Sequence, residues 1–265
     1  MYSKSQLLLK YLQYYFTASN GKGHGMHSPF VFELITKVLN DKTIYPEYER
    51  VEALRNQLLK DNAVLEVEDF GAGSAIDKKN RRSISSIAKN AAKPKKFGQL
   101  LFRMVKYYQP ATILELGTSL GITTSYFSLA KPDARLITME GSKEIAEVAK
   151  RNLRNLEIRN IEIIDGNFDN TLSSVVRGLS SIDLAFIDGN HRQEPTERYF
   201  EHLLAKTNND SILVFDDIHW SNEMEAAWET IKNSVEVNCS IDLFFIGIVF
   251  FRKEFKEKQH FTIRF

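Results

Sequence analysis

Cysteine is almost missing from this chain: Cys239 stands alone among 265 residues. An internal disulfide framework is therefore excluded, and the composition fits a reducing compartment. A charge of one sign is missing too. Lysine and arginine number 35 against 34 aspartates and glutamates, so the net charge is +1 and exerts no general pull toward nucleic acid or a membrane surface. No run of about 18 apolar residues occurs, so no membrane-spanning helix is expected. The first residues lack a signal-peptide pattern, because Lys10 and Gln13 break their apolar stretch. A cytoplasmic location is the expectation. What remains is an ordinary soluble composition, 43% hydrophobic and 26% charged, in a chain long enough for one large domain or a domain with an appendage.

Residues 112–121 organise the rest. Ile113, Leu114 and Leu116 read as a short buried strand, which ends in Gly117 and then Gly121 before residues 122–130 wind into a helix. Such a turn brings bare backbone against a ligand, and the helix start supplies N–H groups that favour negative charge. A second strand over 135–139 ends in Glu140, 23 positions after Gly117, where a carboxylate can accept both ribose hydroxyl protons. A third, over 161–164, ends in Asp165, Gly166, Asn167 and Phe168, an acceptor beside an aromatic face for adenine. A fourth, over 182–187, ends in Asp188. The middle glycine of the dinucleotide fingerprint is absent, its place taken by Ser119, and an acidic Glu115 precedes the turn. Both features suit a cationic ligand better than a diphosphate.

The first third of the chain is helical in pattern. Leu8, Leu12, Tyr15 and Phe16 stripe residues 3–17, and alternating glycines after Ser19 stop that helix. Ser28 and Pro29 start another, through Phe30, Leu34, Ile35 and Val38, and Val51, Leu54, Leu58 and Leu59 stripe a third over 47–60. His24 and His27 lie among those glycines. They read as a structural connector, as hydrogen-bonding groups over the cofactor cleft, or as metal ligands. Residues 66–98 read as irregular. From Lys78 to Lys106 there are ten lysines or arginines and no acid, either solvated helix faces or a mouth for an anionic substrate. The interleaved aromatics of a single-strand nucleic-acid platform are lacking, which argues against a nucleic-acid partner.

Beyond Gly121, strands and helices alternate, the mark of a mainly parallel sheet. A hairpin over 241–251, flanking Gly247, makes the last strand antiparallel. The predicted class is α/β: a Rossmann-like three-layer sandwich with a mostly parallel seven-stranded sheet, an antiparallel last strand and an N-terminal helical extension.

The ordered series of Glu115, Gly117, Thr118, Ser119 and Gly121, then Glu140 with Gly141, then Asp165 with Gly166, Asn167 and Phe168, resembles the S-adenosylmethionine-binding motifs of class I methyltransferases. Within that class, the strand ends at Asp188 and at Asp216–Asp217 resemble the catechol and caffeoyl-CoA type of O-methyltransferase. The resemblance covers residues 97–253. It implies a cofactor-binding domain over 97–265, with residues 1–96 as a lid or a homodimer contact. Residues 66–74 carry a second glycine turn of similar appearance, but Glu66, Glu68 and Asp69 interrupt the strand it would need.

Clustered carboxylates at strand ends repel one another unless a cation compensates. Asp188, Asp216 and Asp217 therefore point to Mg²⁺ or another divalent cation, or to a metal-free site in which they hold a polar or amine substrate, and the resemblance implies that an ion there would bind the acceptor's oxygens. Asp216–Asp217 stands where the family has Asp-Asn, and His191 where it has a catalytic lysine. Histidine can remove a hydroxyl proton near neutrality, bind metal or cap the following helix. His219 and Trp220 are expected in the cleft wall. The implied activity is O-methylation of a small hydroxylated metabolite, with Asp188 and His191 as the chemical groups. Methylation of RNA or protein, or a non-catalytic cofactor-binding module, stays open.

Overall fold

The computed structural model describes residues 1–67 and 81–265. By contact density the chain divides into two compact units, Asp41–Thr171, and Met1–Asn40 together with Leu172–Phe265.

In the first of these, helix α3 (Pro46–Leu58) buries Val51, Leu54 and Leu58, while Leu59 is left largely exposed just past its end. Strands β1 (Val64–Glu66) and β2 (Arg81–Ser83) form a small antiparallel pair. Helix α4 (Ile84–Asn90) follows directly, its Ser83 hydroxyl accepting from the Ser86 N–H. The region expected to be irregular thus contains a capped helix with Ile84 and Ile87 in the core. The second glycine turn and the start of the basic segment fall mostly on residues 68–80, outside the described residues. Helix α5 (Lys95–Tyr108) carries Lys95, Lys96 and Lys106 outside, and buries Arg103 along with Leu100, Leu101 and Met104.

Strands β3 (Thr112–Leu116), β4 (Arg135–Glu140) and β5 (Ile161–Asp165) pair in parallel in that order, joined by helices α6 (Ile122–Ala130) and α7 (Lys143–Asn155). Their register places Leu116 beside Met139 and Glu140 beside Asp165, so the three strands deliver their last residues to one edge.

The other unit begins with α1 (Lys4–Thr17), capped by the Ser3 hydroxyl. Its inward face is Leu7, Tyr11 and Tyr14, packed on Phe244 and Phe245. The predicted stripe of Leu8, Leu12, Tyr15 and Phe16 faces outward instead, Phe16 remaining 77% exposed. Helix α2 (Pro29–Glu33) starts at Ser28 without a side-chain cap and continues as a π-helix, Leu34–Leu39. The wider turn lets the Asn40 N–H reach the Ile35 carbonyl and puts Leu34, Ile35, Val38 and Leu39 in the core.

Helix α8 (Phe168–Arg177) straddles the division between the units. Strand β6 (Leu184–Ile187), helix α9 (Gln193–Leu204), strand β7 (Ile212–Asp216) and helix α10 (Asn222–Asn233) continue the alternation. Strands β8 (Cys239–Asp242) and β9 (Ile246–Phe250) form the expected hairpin, but its turn is residues 243–245. Gly247 lies inside β9, opposite Phe215, because the indole of Trp228 presses there. β9 runs antiparallel to β7, and β10 (Gln259–Thr262) adds a parallel edge to β8, giving the order β10-β8-β9-β7-β6. Among the described residues the two sets make eight strands, one more than expected, the addition being β10.

Candidate functional site

The turn after β3 is shaped by backbone that only a few residues tolerate. Gly117, Ser119 and Gly121 all have positive φ, at 107°, 48° and 81°. The N–H groups of Gly117 and Thr118 donate to the Met139 carbonyl at 2.9 and 3.0 Å, which folds the turn over the end of β4. The Ser119 N–H then donates to Glu140 at 2.8 Å, and the Ser142 N–H donates to the same carboxylate at 3.0 Å. Burial pushes the Glu140 carboxyl above the ordinary range. The backbone N–H groups of Ser142, Ser119 and Gly141 oppose that shift, and the neighbouring Asp165 adds to it.

Glu115 is completely buried. It accepts from the hydroxyls of Thr124 at 2.5 Å and Thr138 at 2.7 Å, and Thr138 shares a further hydrogen bond with Thr118. The sequence-predicted acid of the glycine turn therefore ties β3, β4 and α6 together from inside. Asp165 is paired with Lys150 at 2.9 Å. Gly166, with φ 132°, donates its N–H to the Glu140 carbonyl, and Asn167 opens α8 by accepting from the Asp169 N–H. Gly141 follows Glu140 directly, and Phe168 is half-buried at the start of α8.

In the other unit, β6 and β7 are in register with Ile187 beside Phe215, so Asp188 and Asp216 follow on adjacent strands. Asp216 is buried. Asn190 and His191 are both left-handed, with φ 69° and 47°, which turns the chain back so that His191 Nε2 lies 3.4 Å from Asp188 Oδ1. One ligand atom from each of Asp188, His191 and Asp216 lies within 4.8 Å of the others, the group of this kind found among the described residues. Asp217, expected alongside them, is not part of it. Its backbone is left-handed, with φ 52°, and its N–H donates to the Phe245 carbonyl at 2.7 Å. Non-glycine residues held left-handed cost free energy and gather where a site constrains the chain.

His219 lies between two carboxylates, 2.9 Å from Glu225 and 2.8 Å from Asp242. Burial disfavours its charged form, but the two acids outweigh burial and raise its pKa. His24 and His27 are exposed, and neither belongs to the group of potential metal ligands found among the described residues.

Residues 114–218 match the family model described as a methyltransferase domain. Over that span the chain is similar to methyltransferases. Its curated relatives include the catechol O-methyltransferase of Niastella koreensis, 32% identical over 124 residues, which are 46% of this chain and 55% of that protein. The catechol O-methyltransferase of Mycobacterium tuberculosis is 28% identical over 46% of this chain and 54% of its own length. The chain thus spans about half the length of the curated relatives it matches. The crystal structure of a Podospora anserina methyltransferase bound to S-adenosylhomocysteine superposes with a TM-score of 0.59 at 13% identity, covering 85% of this chain and 97% of that one. That likeness is one of fold: a mostly parallel central sheet with helices on both sides. No helix among the described residues is long and apolar enough to cross a membrane.

The donor groups described above fit the ligands that this similarity implies. A half-buried carboxylate at Glu140, beside a glycine turn, is a ready acceptor for ribose hydroxyls. Two carboxylates and one imidazole form a donor set suited to Mn²⁺, Fe²⁺ or Zn²⁺ as well as Mg²⁺. Beside them the Asn190 Oδ1 is a buried acceptor with no hydrogen-bond partner. Sequence reasoning placed Asp217 in the cation group and kept metal binding only as an option for His191. A non-glycine left-handed pair at 190–191 has no reliable sequence signal; the asparagine, which tolerates that region, was the one available hint.

Proposed function

We propose that this chain is an S-adenosylmethionine-dependent O-methyltransferase acting on a small hydroxylated acceptor, with a divalent cation held by Asp188, His191 and Asp216. The observation that carries this reading is the cluster of those three ligand atoms within 4.8 Å, at the ends of adjacent strands. A methyltransferase acting on an acceptor with an activated nucleophile has no need of such a cluster. A hydroxyl acceptor does, because it must lose a proton at neutral pH.

The chain's own residues divide the work. Glu140 accepts from the ribose hydroxyls of the cofactor, and the backbone of residues 117–121 lies close against it. Asp165, Asn167 and Phe168 border the adenine. Asp188 and Asp216 supply negative charge that holds the cation. A bound divalent ion lowers the pKa of a coordinated hydroxyl and fixes its orientation. The transfer itself then depends on alignment and exclusion of water. The 3.4 Å approach of His191 to Asp188 also supports a second reading, in which His191 accepts the hydroxyl proton and Asp188 orients its ring without any metal.

Calorimetric titration with S-adenosylhomocysteine, first in EDTA and then with Mn²⁺ or Mg²⁺, tests the proposal. Binding at micromolar ligand and a separate cation heat lost in Asp216→Asn are expected. No binding at millimolar ligand sinks the methyltransferase activity. Cofactor binding with no cation heat moves the chemistry to His191 alone. Salt-sensitive RNA binding would move the acceptor to nucleic acid.

A further inference from the structure

Tyr2, which leads into α1, and Lys10 of α1 make polar contacts with residues 220–225. The Tyr2 N–H donates to the Trp220 carbonyl at 3.0 Å. The Tyr2 hydroxyl reaches Glu225 at 2.6 Å and also lies on Asn222. Lys10 pairs with both oxygens of Glu225 at 3.0 Å, its ammonium 4.6 Å above the Tyr2 ring. Glu225 in turn holds His219 Nδ1 at 2.9 Å, and Asp242 holds Nε2 at 2.8 Å. Because both ring nitrogens face carboxylates, both are donors. Two cations, Lys10 and His219, thus alternate with two anions, Glu225 and Asp242. The imidazole stacks on Phe244, with ring centres 5.1 Å apart, and Tyr11 and Tyr14 of α1 close on the same ring at 5.1 and 5.3 Å.

Residues 217–220 are therefore fastened at three places. Asp217 is held by its N–H to Phe245, His219 by its two acids, and Trp220 by its carbonyl to Tyr2. The third fastening belongs to Tyr2, which leads into α1, and the second depends on a Glu225 that Tyr2 and Lys10 of α1 orient. This segment begins one residue after Asp216.

We propose that α1 is a positioning element for the cation site, acting through Tyr2, Lys10, Glu225, His219 and Asp242 on residues 217–220 and so on the Asp216 carboxylate. The inference rests on the cation reading of Asp188, His191 and Asp216 given above. It makes docking of α1 and cation binding mutually reinforcing, since coupling between two binding equilibria is reciprocal. Holding the carboxylate in place before the ion arrives removes an ordering cost from binding, and loss of α1 docking restores that cost.

Mn²⁺ affinity, measured by calorimetry on the full chain, tests it. Glu225→Ala cuts the hydrogen-bonded link from Tyr2 and Lys10 to His219, leaving only the ring contacts through Phe244, and a Tyr2→Phe, Lys10→Met double variant cuts only the α1 side. Both are expected to weaken Mn²⁺ binding by about 5- to 100-fold, the range of common coupling energies, with S-adenosylhomocysteine affinity unchanged. Glu225→Gln, which keeps one acceptor oxygen for His219 and offers an NH2 that can donate to the Tyr2 hydroxyl, should recover part of the loss. Saturating Mn²⁺ on the unmodified chain should slow hydrogen exchange of the amides in α1, a readout that needs no variant to fold. Wild-type protein that binds no Mn²⁺ overturns the cation reading and this coupling with it. Wild-type binding that the variants match within about twofold, with α1 exchange indifferent to Mn²⁺, overturns the coupling alone.

Discussion

Glu140 shows how far a single residue can be read from the chain alone. Its distance from Gly117 along the sequence and its place at a strand end make it the expected ribose acceptor, and the structure places it at the end of β4 beside the glycine turn, since both are local properties of a strand, turn and helix. The raised proton affinity was not legible, since it comes from walls that the fold assembles: burial first, with Asp165 delivered beside it by the β4–β5 register. A consequence follows for pH. The ionised carboxylate is the form that accepts from ribose hydroxyls, and a raised pKa means that this form is lost sooner as pH falls. S-adenosylhomocysteine affinity should therefore weaken on acidification from pH 7 before an ordinary carboxylate would protonate. Glu140→Gln should bind about 10- to 100-fold more weakly at pH 7, as expected for losing hydrogen bonds to a charged acceptor, and its affinity should no longer vary across that window. An unchanged pH slope in the variant would assign the titration to another group. His191 lies at the opposite extreme. Its place beside Asp188 depends on two consecutive left-handed residues, and nothing in residue type alone requires that path.

At the scale of elements, periodicity located the helices better than it oriented them. The Leu8, Leu12, Tyr15 and Phe16 stripe correctly marks a helix, yet the buried face is Leu7, Tyr11 and Tyr14, because α1 packs its aromatic side on Phe244 and Phe245. An apolar residue at helical spacing reports period, and only the partner surface decides which side is inward. The same limit applies to Gly247, which reads as a turn glycine from its flanking strands but lies within β9. A Cβ there would meet the Trp228 ring at 2.6 to 2.9 Å, too close for a rigid indole that is itself buried. Gly247→Ala should cost about 1–3 kcal/mol, the usual penalty for overpacking a tight core. Urea unfolding followed by tryptophan fluorescence would measure it. A loss below about 0.5 kcal/mol would mean that Trp228 moves aside freely, contrary to its packing against Phe215.

At the scale of the whole molecule, the candidate ligand groups fall into separate compact units. Glu115, Gly117, Glu140 and Asp165 belong to Asp41–Thr171, and Asp188, His191 and Asp216 to the unit that contains Leu172–Phe265. Sequence order alone could show neither division, because the second unit joins the chain's beginning to its end through contacts such as Tyr14 to Ile263 and Lys10 to Glu225. Each ligand should consequently have its own dependence on substitution. Glu140→Ala should abolish the S-adenosylhomocysteine heat and leave the Mn²⁺ heat, and Asp216→Asn should do the reverse. Stability gives an independent measure of the same separation. A ligand that binds only the folded chain at about 100 times its Kd adds about 2.7 kcal/mol. For a chain of this size each kcal/mol raises the melting temperature by about 2–4 °C. S-adenosylhomocysteine at that excess should therefore raise the midpoint by about 5–10 °C in wild type and in Asp216→Asn, and by less than about 1 °C in Glu140→Ala. A shift that survives Glu140→Ala at full size would move the nucleoside site away from the end of β4.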